Sequence, residues 1–187
     1  MTIATTSERT LTPSLPGGDA RLLVAEAVLP GHPDKLADQI ADGVLDIALA
    51  ADYHAIVQVE VALHGNDCFV NGSAFTSGGA LPREDVERTV RAVYERAGFG
   101  VPFPDFGDWQ CPRGEEVNVI LSLELEAALP AETADREYTD DQAIHIGYAV
   151  ATPETRHLPL EQHLALALRQ RLLELCLTRR ELGAGPD

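Results

Sequence analysis

The sequence predicts an α+β fold in which helices lie on one face of a mixed sheet, in the order β-α-β-β-α-β and then a further strand and a long helix. Three observations carry that reading. Apolar residues return every fourth position through Leu36, Ile40, Val44 and Ala48. A β-branched, apolar run over 55–63 and a likely partner strand over 68–75 flank the turn sequence His64-Gly65-Asn66-Asp67. Val117, Val119, Leu121, Leu123 and Leu125 alternate with other residues. The first pattern has the period of a helix face and the last that of a strand.

Taken in chain order, residues 1–20 are rich in Thr, Ser, Pro and Gly and read as a disordered tail. They lack a charged start followed by an apolar stretch, so they do not read as a signal peptide. Residues 21–27 read as a short strand. Pro30-Gly31 makes a turn, and Pro33 suits a first helical turn because its missing N–H is unpaired there in any case. A helix follows over about 33–50, with Leu45 and Leu49 expected to widen its apolar stripe. Residues 55–63 and 68–75 read as a hairpin. Gly78-Gly79 breaks the chain, and Pro82 opens a second helix with Val86, Val90, Val93 and Tyr94 on one side, ending near Gly98. The stretch 99–115 reads as a loop, 116–126 as a strand, 127–140 as a polar mobile segment and 143–150 as another strand. A leucine-rich helix over about 159–181 ends at Gly183-Ala184-Gly185-Pro186.

The chain has 187 residues, 45% of them hydrophobic and 24% charged, with a formal net charge of −16. Such a surface repels nucleic acid and anionic membranes, so neither is an expected partner. No apolar run approaches the roughly 18–20 residues that span a bilayer, and a cytoplasmic location is the expectation. Cys68, Cys111 and Cys176 are odd in number and widely spaced, which suggests neither a disulfide framework nor a zinc site. A single lysine, Lys35, stands among thirteen arginines. It lies in Gly31-His32-Pro33-Asp34-Lys35, where one helix start gathers a donor, a hard-oxygen carboxylate and a cation beside free backbone N–H groups. That set suits a metal-bound polyphosphate. By residue type alone, a helix cap with solvated charges explains it as well.

The run Gly31-His32-Pro33-Asp34-Lys35, continued by Ala37-Asp38-Gln39-Ile40 and Asp42-Gly43-Val44-Leu45-Asp46, resembles the opening signature of the S-adenosylmethionine synthetases, or methionine adenosyltransferases. The similarity runs without a gap to Glu60. It returns at Asn118-Val119 and at Asp141-Gln142 with Gly147-Tyr148-Ala149. The resemblance implies the family's fold, with 21–150 as an N-terminal domain and 151–187 as a long helix and the start of a second similar domain. It implies formation of S-adenosylmethionine from ATP and L-methionine, with release of phosphate and pyrophosphate. His32 and Lys35 then match catalytic and ATP-binding positions, Glu26 and Asp34 match Mg²⁺ ligands, and Glu60 and Asp141 match the carboxylates around the methionine ammonium.

The chain departs from the family pattern at several points. Ala50 replaces the family's K⁺-site glutamate, which makes a K⁺ requirement doubtful. The segment after Glu126 lacks the family's substrate-contacting glutamine, so the strand gating the site is altered. Pro30 and Asp140 also differ from the pattern. The family's phosphate-binding lysines and arginines fall mostly beyond the point reached by this sequence. The expectation is therefore a separately encoded chain carrying the remaining domains, in a hetero-oligomer with shared sites; a piece of a longer synthetase is the alternative. Two other readings stand beside it: a non-catalytic regulatory or structural paralogue, and a synthetase-like enzyme using another thioether or nucleotide.

Overall fold

The computed structural model describes residues 22–100, 113–127, 144–179 and 185–187. The expected tail, most of the loop after residue 99, the segment 128–140, Cys111 and Asp141 lie outside the described residues. Helix α1 spans Pro33–Ala51, strand β1 Ile56–His64, strand β2 Asp67–Thr76, helix α2 Arg83–Ala97, strand β3 Asn118–Ala127 and helix α3 Leu160–Thr178. The sheet runs β1-β2-β3. β1 and β2 pair antiparallel through the short turn at Gly65-Asn66, where Gly65 takes φ +57°. β2 and β3 pair parallel, with α2 between them in the chain.

Alternation along the strands divides the sheet into two faces. Val59, Val61 and Leu63 of β1, Cys68 and Val70 of β2, and Val119, Leu121 and Leu123 of β3 belong to the core. The helices cover this inner face. α1 brings Leu36, Ile40, Val44 and Ala48, and α2 brings Val86, Val90, Val93, Tyr94 and Ala97; all are buried. The outer face carries the cross-strand row Glu60–Asn71–Ser122 and, beside it, the apolar row Ala62–Phe69–Ile120. Phe69 and Ile120 are exposed there.

Polar links fix the layers. Arg91 donates to the carbonyls of Gly114 (2.7 Å) and Val117 (2.8 Å), tying α2 to the entry of β3. Asp52 caps the C-terminus of α1, and its carboxylate accepts from the N–H groups of Ser77 (2.7 Å) and His54 (2.9 Å). The turn after β2 is thereby pinned to the end of α1. Gly98 ends α2 in the left-handed conformation, as its place after the last helical residue suggests.

The structure corrects three expectations. Residues 22–29 and 144–150 hold no regular secondary structure, although both were expected as strands. Their apolar residues, among them Leu22, Val24, Ile144 and Ile146, are strongly exposed. A strand is completed by a neighbour that accepts its ladder hydrogen bonds, and neither segment pairs with β1, β2 or β3. Leu45 and Leu49 do not join the buried stripe of α1; they remain exposed on its flank.

Two predictions follow from this architecture. A Cβ at Gly72, which has φ +116°, would lie 2.0 Å from the carbonyl oxygen of Gln58 on the paired strand. Gly72→Ala therefore lowers unfolding free energy by roughly 2–4 kcal/mol in urea titration. The hydrogen bonds to Asp52, chiefly from the Ser77 N–H, hold its carboxyl below the ordinary 3.8. A lowered carboxylate stabilises the fold above its unfolded value, and that contribution is lost as pH falls through the folded one. Thermal melts of Asp52→Ala should thus show a lower Tm at neutral pH, and the difference from wild type should vanish in acid below that range.

Candidate functional site

The start of α1 is held in place before any ligand is considered. The His32 N–H donates to the carbonyl of Leu29 (3.1 Å), which turns the chain through Pro30-Gly31. Pro33 occupies the first helical turn. The side chain of Gln39, one turn beyond Lys35, donates both to the Pro30 carbonyl (2.9 Å) and to the Lys35 carbonyl (2.8 Å). Gln39 thus clamps the turn onto the helix. Gly31 allows the closest approach: its N–H donates to the Pro186 carbonyl (2.9 Å), and a Cβ there would sit 2.7 Å from that oxygen and 2.8 Å from the Phe99 ring.

His32 is the N-cap residue of α1. Its Nδ1 accepts from the Asp34 N–H (3.2 Å), so one orphan amide of the helix start is satisfied by an imidazole rather than by a hydroxyl or carboxylate. The acceptor role at Nδ1 places the proton of the neutral ring on Nε2, which is left as a donor. The Asp34 carboxylate lies 3.9 Å from Nδ1 and is largely exposed in the first turn, where negative charge is favoured by the helix dipole. Lys35 pairs with Asp38 at 2.8 Å, so its charge is already partly balanced by this chain.

Behind the turn lies a cleft of about 220 Å³, bounded by Gly31, Pro33, Leu63, His64, Tyr94 and Phe99. It joins the helix start to the β1–β2 turn. Phe99 meets Tyr94 edge-on, with ring centroids 5.4 Å apart. Burial, and then the nearby Cys68, push the Tyr94 phenol up to about 12, and burial pushes the Cys68 thiol up to about 11. Both groups stay protonated at neutral pH and serve as packing rather than as acids or nucleophiles.

The remaining sequence-derived candidates fall in different places. Glu26 is exposed in the irregular segment before the turn. Glu60 stands on the outer face of β1 opposite Asn71, away from the face that α1 covers. No hydrogen bond or ion pair among the described residues joins Glu60 or Glu26 to the His32 turn. Among the described residues, no group of three or more His, Cys, Asp or Glu side chains is gathered so as to hold a metal ion. Asp34 and Glu26 are nevertheless oxygen donors of the type Mg²⁺ takes, and Mg²⁺ commonly binds through one or two carboxylates together with water and phosphate oxygens. The arrangement offers one imidazole donor, one exposed carboxylate and a helix N-terminus, which suit part of a metal-polyphosphate site.

Sequence reading did not foresee the clamp made by Gln39 or the place of His64 beside the helix start. Gln39 stood inside the quoted motif, but only the fold shows that it bonds backward to Pro30. His64 read simply as a turn residue. Asn118, noted for its match to the family, bonds to the Asp67 side chain (2.8 Å) and closes the end of the β2–β3 pair.

Residues 20–111 match the S-adenosylmethionine synthetase N-terminal domain. The S-adenosylmethionine synthase 1 of Rhodospirillum rubrum is 36% identical over 159 residues, which cover 82% of this chain and 38% of that protein. The S-adenosylmethionine synthase of Thermus thermophilus is 37% identical over 162 residues, covering 83% of this chain and 40% of that one. Among solved structures, an unusual S-adenosylmethionine synthetase from Campylobacter jejuni aligns with a TM-score of 0.51 and 33% identity, over 58% of this chain and 28% of that one. The α1 start, the hairpin bearing Glu60 and the second helix all fall inside the matched N-terminal domain, and the chain spans 38% and 40% of the two curated relatives' lengths. Over this N-terminal part, the chain belongs to the S-adenosylmethionine synthetase family.

Proposed function

We propose that this chain is one subunit of a two-chain methionine adenosyltransferase, joining ATP and L-methionine to give S-adenosylmethionine, phosphate and pyrophosphate. The observation that carries the reading is the His32 cap, a family-matching histidine whose Nδ1 is engaged by the Asp34 amide and whose Nε2 is left to donate. In the reaction the methionine sulfur forms a bond to C5′ as the C5′–O bond to the triphosphate breaks, and water then cleaves one P–O–P link of the released triphosphate to give phosphate and pyrophosphate. Negative charge grows on the departing oxygen, and a fixed N–H donor lowers the energy of that state. His32 is assigned that donor role, and Lys35 a supporting charge on the phosphates. Glu60 and Asp141 are assigned to the methionine ammonium. Asp34 and Glu26 would hold Mg²⁺, which supplies charge neutralisation of the polyphosphate when bound.

A second chain is part of the proposal for electrostatic reasons. The net charge is −16, and the one lysine is paired with Asp38. A triphosphate brought to this surface meets mostly like charge, which metal ions or cations from elsewhere must offset. A longer polypeptide with the further domains meets the same demand. The boundaries 21–150 and 151–187 are retained as the first domain and the opening of the next. The regulatory reading draws on Ala50, which stands where the family places its K⁺-site glutamate.

The test is production of S-adenosylmethionine, identified by mass, after this chain is co-expressed with the part of the Thermus thermophilus synthase beyond the matched 40%. The expected outcome is product only when both polypeptides are present. His32→Ala should lower kcat by about 10²–10³-fold with assembly intact. Full activity of the isolated chain would overturn the two-chain reading, and an unchanged rate in His32→Ala would favour a regulatory subunit.

A further inference from the structure

Helix α3 has the composition of a core element and the exposure of a surface one. None of its residues from Leu160 to Thr178 is buried. Leu160, Leu164, Leu168 and Leu172 are 62%, 52%, 65% and 51% exposed. Their four-residue spacing forms one continuous ridge of the kind that packs into the groove of an opposing layer. Apolar residues are not confined to that ridge: Leu166, Leu173 and Leu177 lie on the opposite side of the helix, and Leu177 is exposed as well. A helix apolar around most of its circumference is stable in water only when an apolar layer covers it.

Two facts bear on what that layer is. The R. rubrum and T. thermophilus relatives are matched over only 38% and 40% of their length, so most of each corresponds to nothing in this sequence. A contact between two copies of α3 would be a single helix crossing, which covers one side of each helix and leaves the apolar residues of the other side in water. We infer that the leucine ridge of α3 is the docking surface for the polypeptide that supplies the remaining part of the synthetase fold, which meets it with an apolar layer. The inference rests on the two-chain reading above and names the surface through which the chains join. It gives α3 an intermolecular role: the helix is contributed by one chain and completes the core of the other.

The experiment uses the full chain, tagged and co-expressed with the same T. thermophilus segment, followed by size-exclusion chromatography with light scattering. Wild type should elute with that segment as a single complex. Leu164→Asp combined with Leu168→Asp should weaken the complex by at least about tenfold. Because α3 buries no residue, the melting curve of the double variant alone should match wild type. Leu164→Ser with Leu168→Ser gives a milder pair that should weaken binding in the same direction. Failure of wild type to bind, binding unaffected by either pair, or a dimer of this chain that the substitutions dissolve would each overturn the inference. The two readings fail separately. A complex that depends on the ridge but makes no S-adenosylmethionine sinks the activity and keeps the docking surface. Product formed equally by wild type and the ridge variants does the reverse.

Discussion

The seating of α1 on the inner face of the sheet is the constraint on which everything else rests. Leu36, Ile40, Val44 and Ala48 fall on one line because of their spacing, and that line is buried. Rotation of α1 about its axis would expose it, at roughly 1.5–3 kcal/mol for each large side chain returned to water. The helix is therefore fixed in azimuth as well as position. Its first turn then emerges beside the β1–β2 turn, and Gln39 carries the fixed geometry back to Pro30. The loop bearing His32 takes its position from the core, and its own bonds to Leu29, Gln39 and Pro186 hold it there.

That core has one finished side and one unfinished side. The inner face of the sheet is sealed by two helices, whereas the outer face leaves Phe69 and Ile120 beside Glu60 and Ser122 in water. Glu60 and His32 share a domain, yet one stands on the uncovered sheet face and the other at a helix start. Charge is distributed just as unevenly, with many more acids than bases and a lone lysine committed to Asp38. Geometry and electrostatics thus make the same demand: an enclosure for substrate requires groups that the described part of this chain does not bring together.

Much of this was legible in the residues because the deciding forces were local. The stripes of α1 and α2, the hairpin turn and the αL stop at Gly98 depend on neighbours within a few positions, and structure and reading agree on them. The segments 22–27 and 144–150 show where local reading fails. Their apolar residues, continuous in the first segment and alternating through Ile144, Ile146 and Tyr148 in the second, have strand propensity, but propensity expresses fit to a neighbouring strand, and the three-stranded sheet offers them no place. Leu45 and Leu49 teach a similar lesson, since the width of a buried stripe is set by the opposing surface and not by the helix. The candidate site was legible as a motif around His32, while the backward bond of Gln39 and the contact of Gly31 with Pro186 link residues too far apart for pattern to reveal.

The bond between Asp34 and His32 limits what that imidazole can be asked to do. Were the ring to take up a second proton, Nδ1 would become a donor facing another donor, and the opening turn of the helix would lose its stopper. Relaying protons between its two nitrogens is therefore closed to His32 for as long as the helix start stays intact. What this geometry leaves the ring is a single N–H at Nε2, held still by the scaffold.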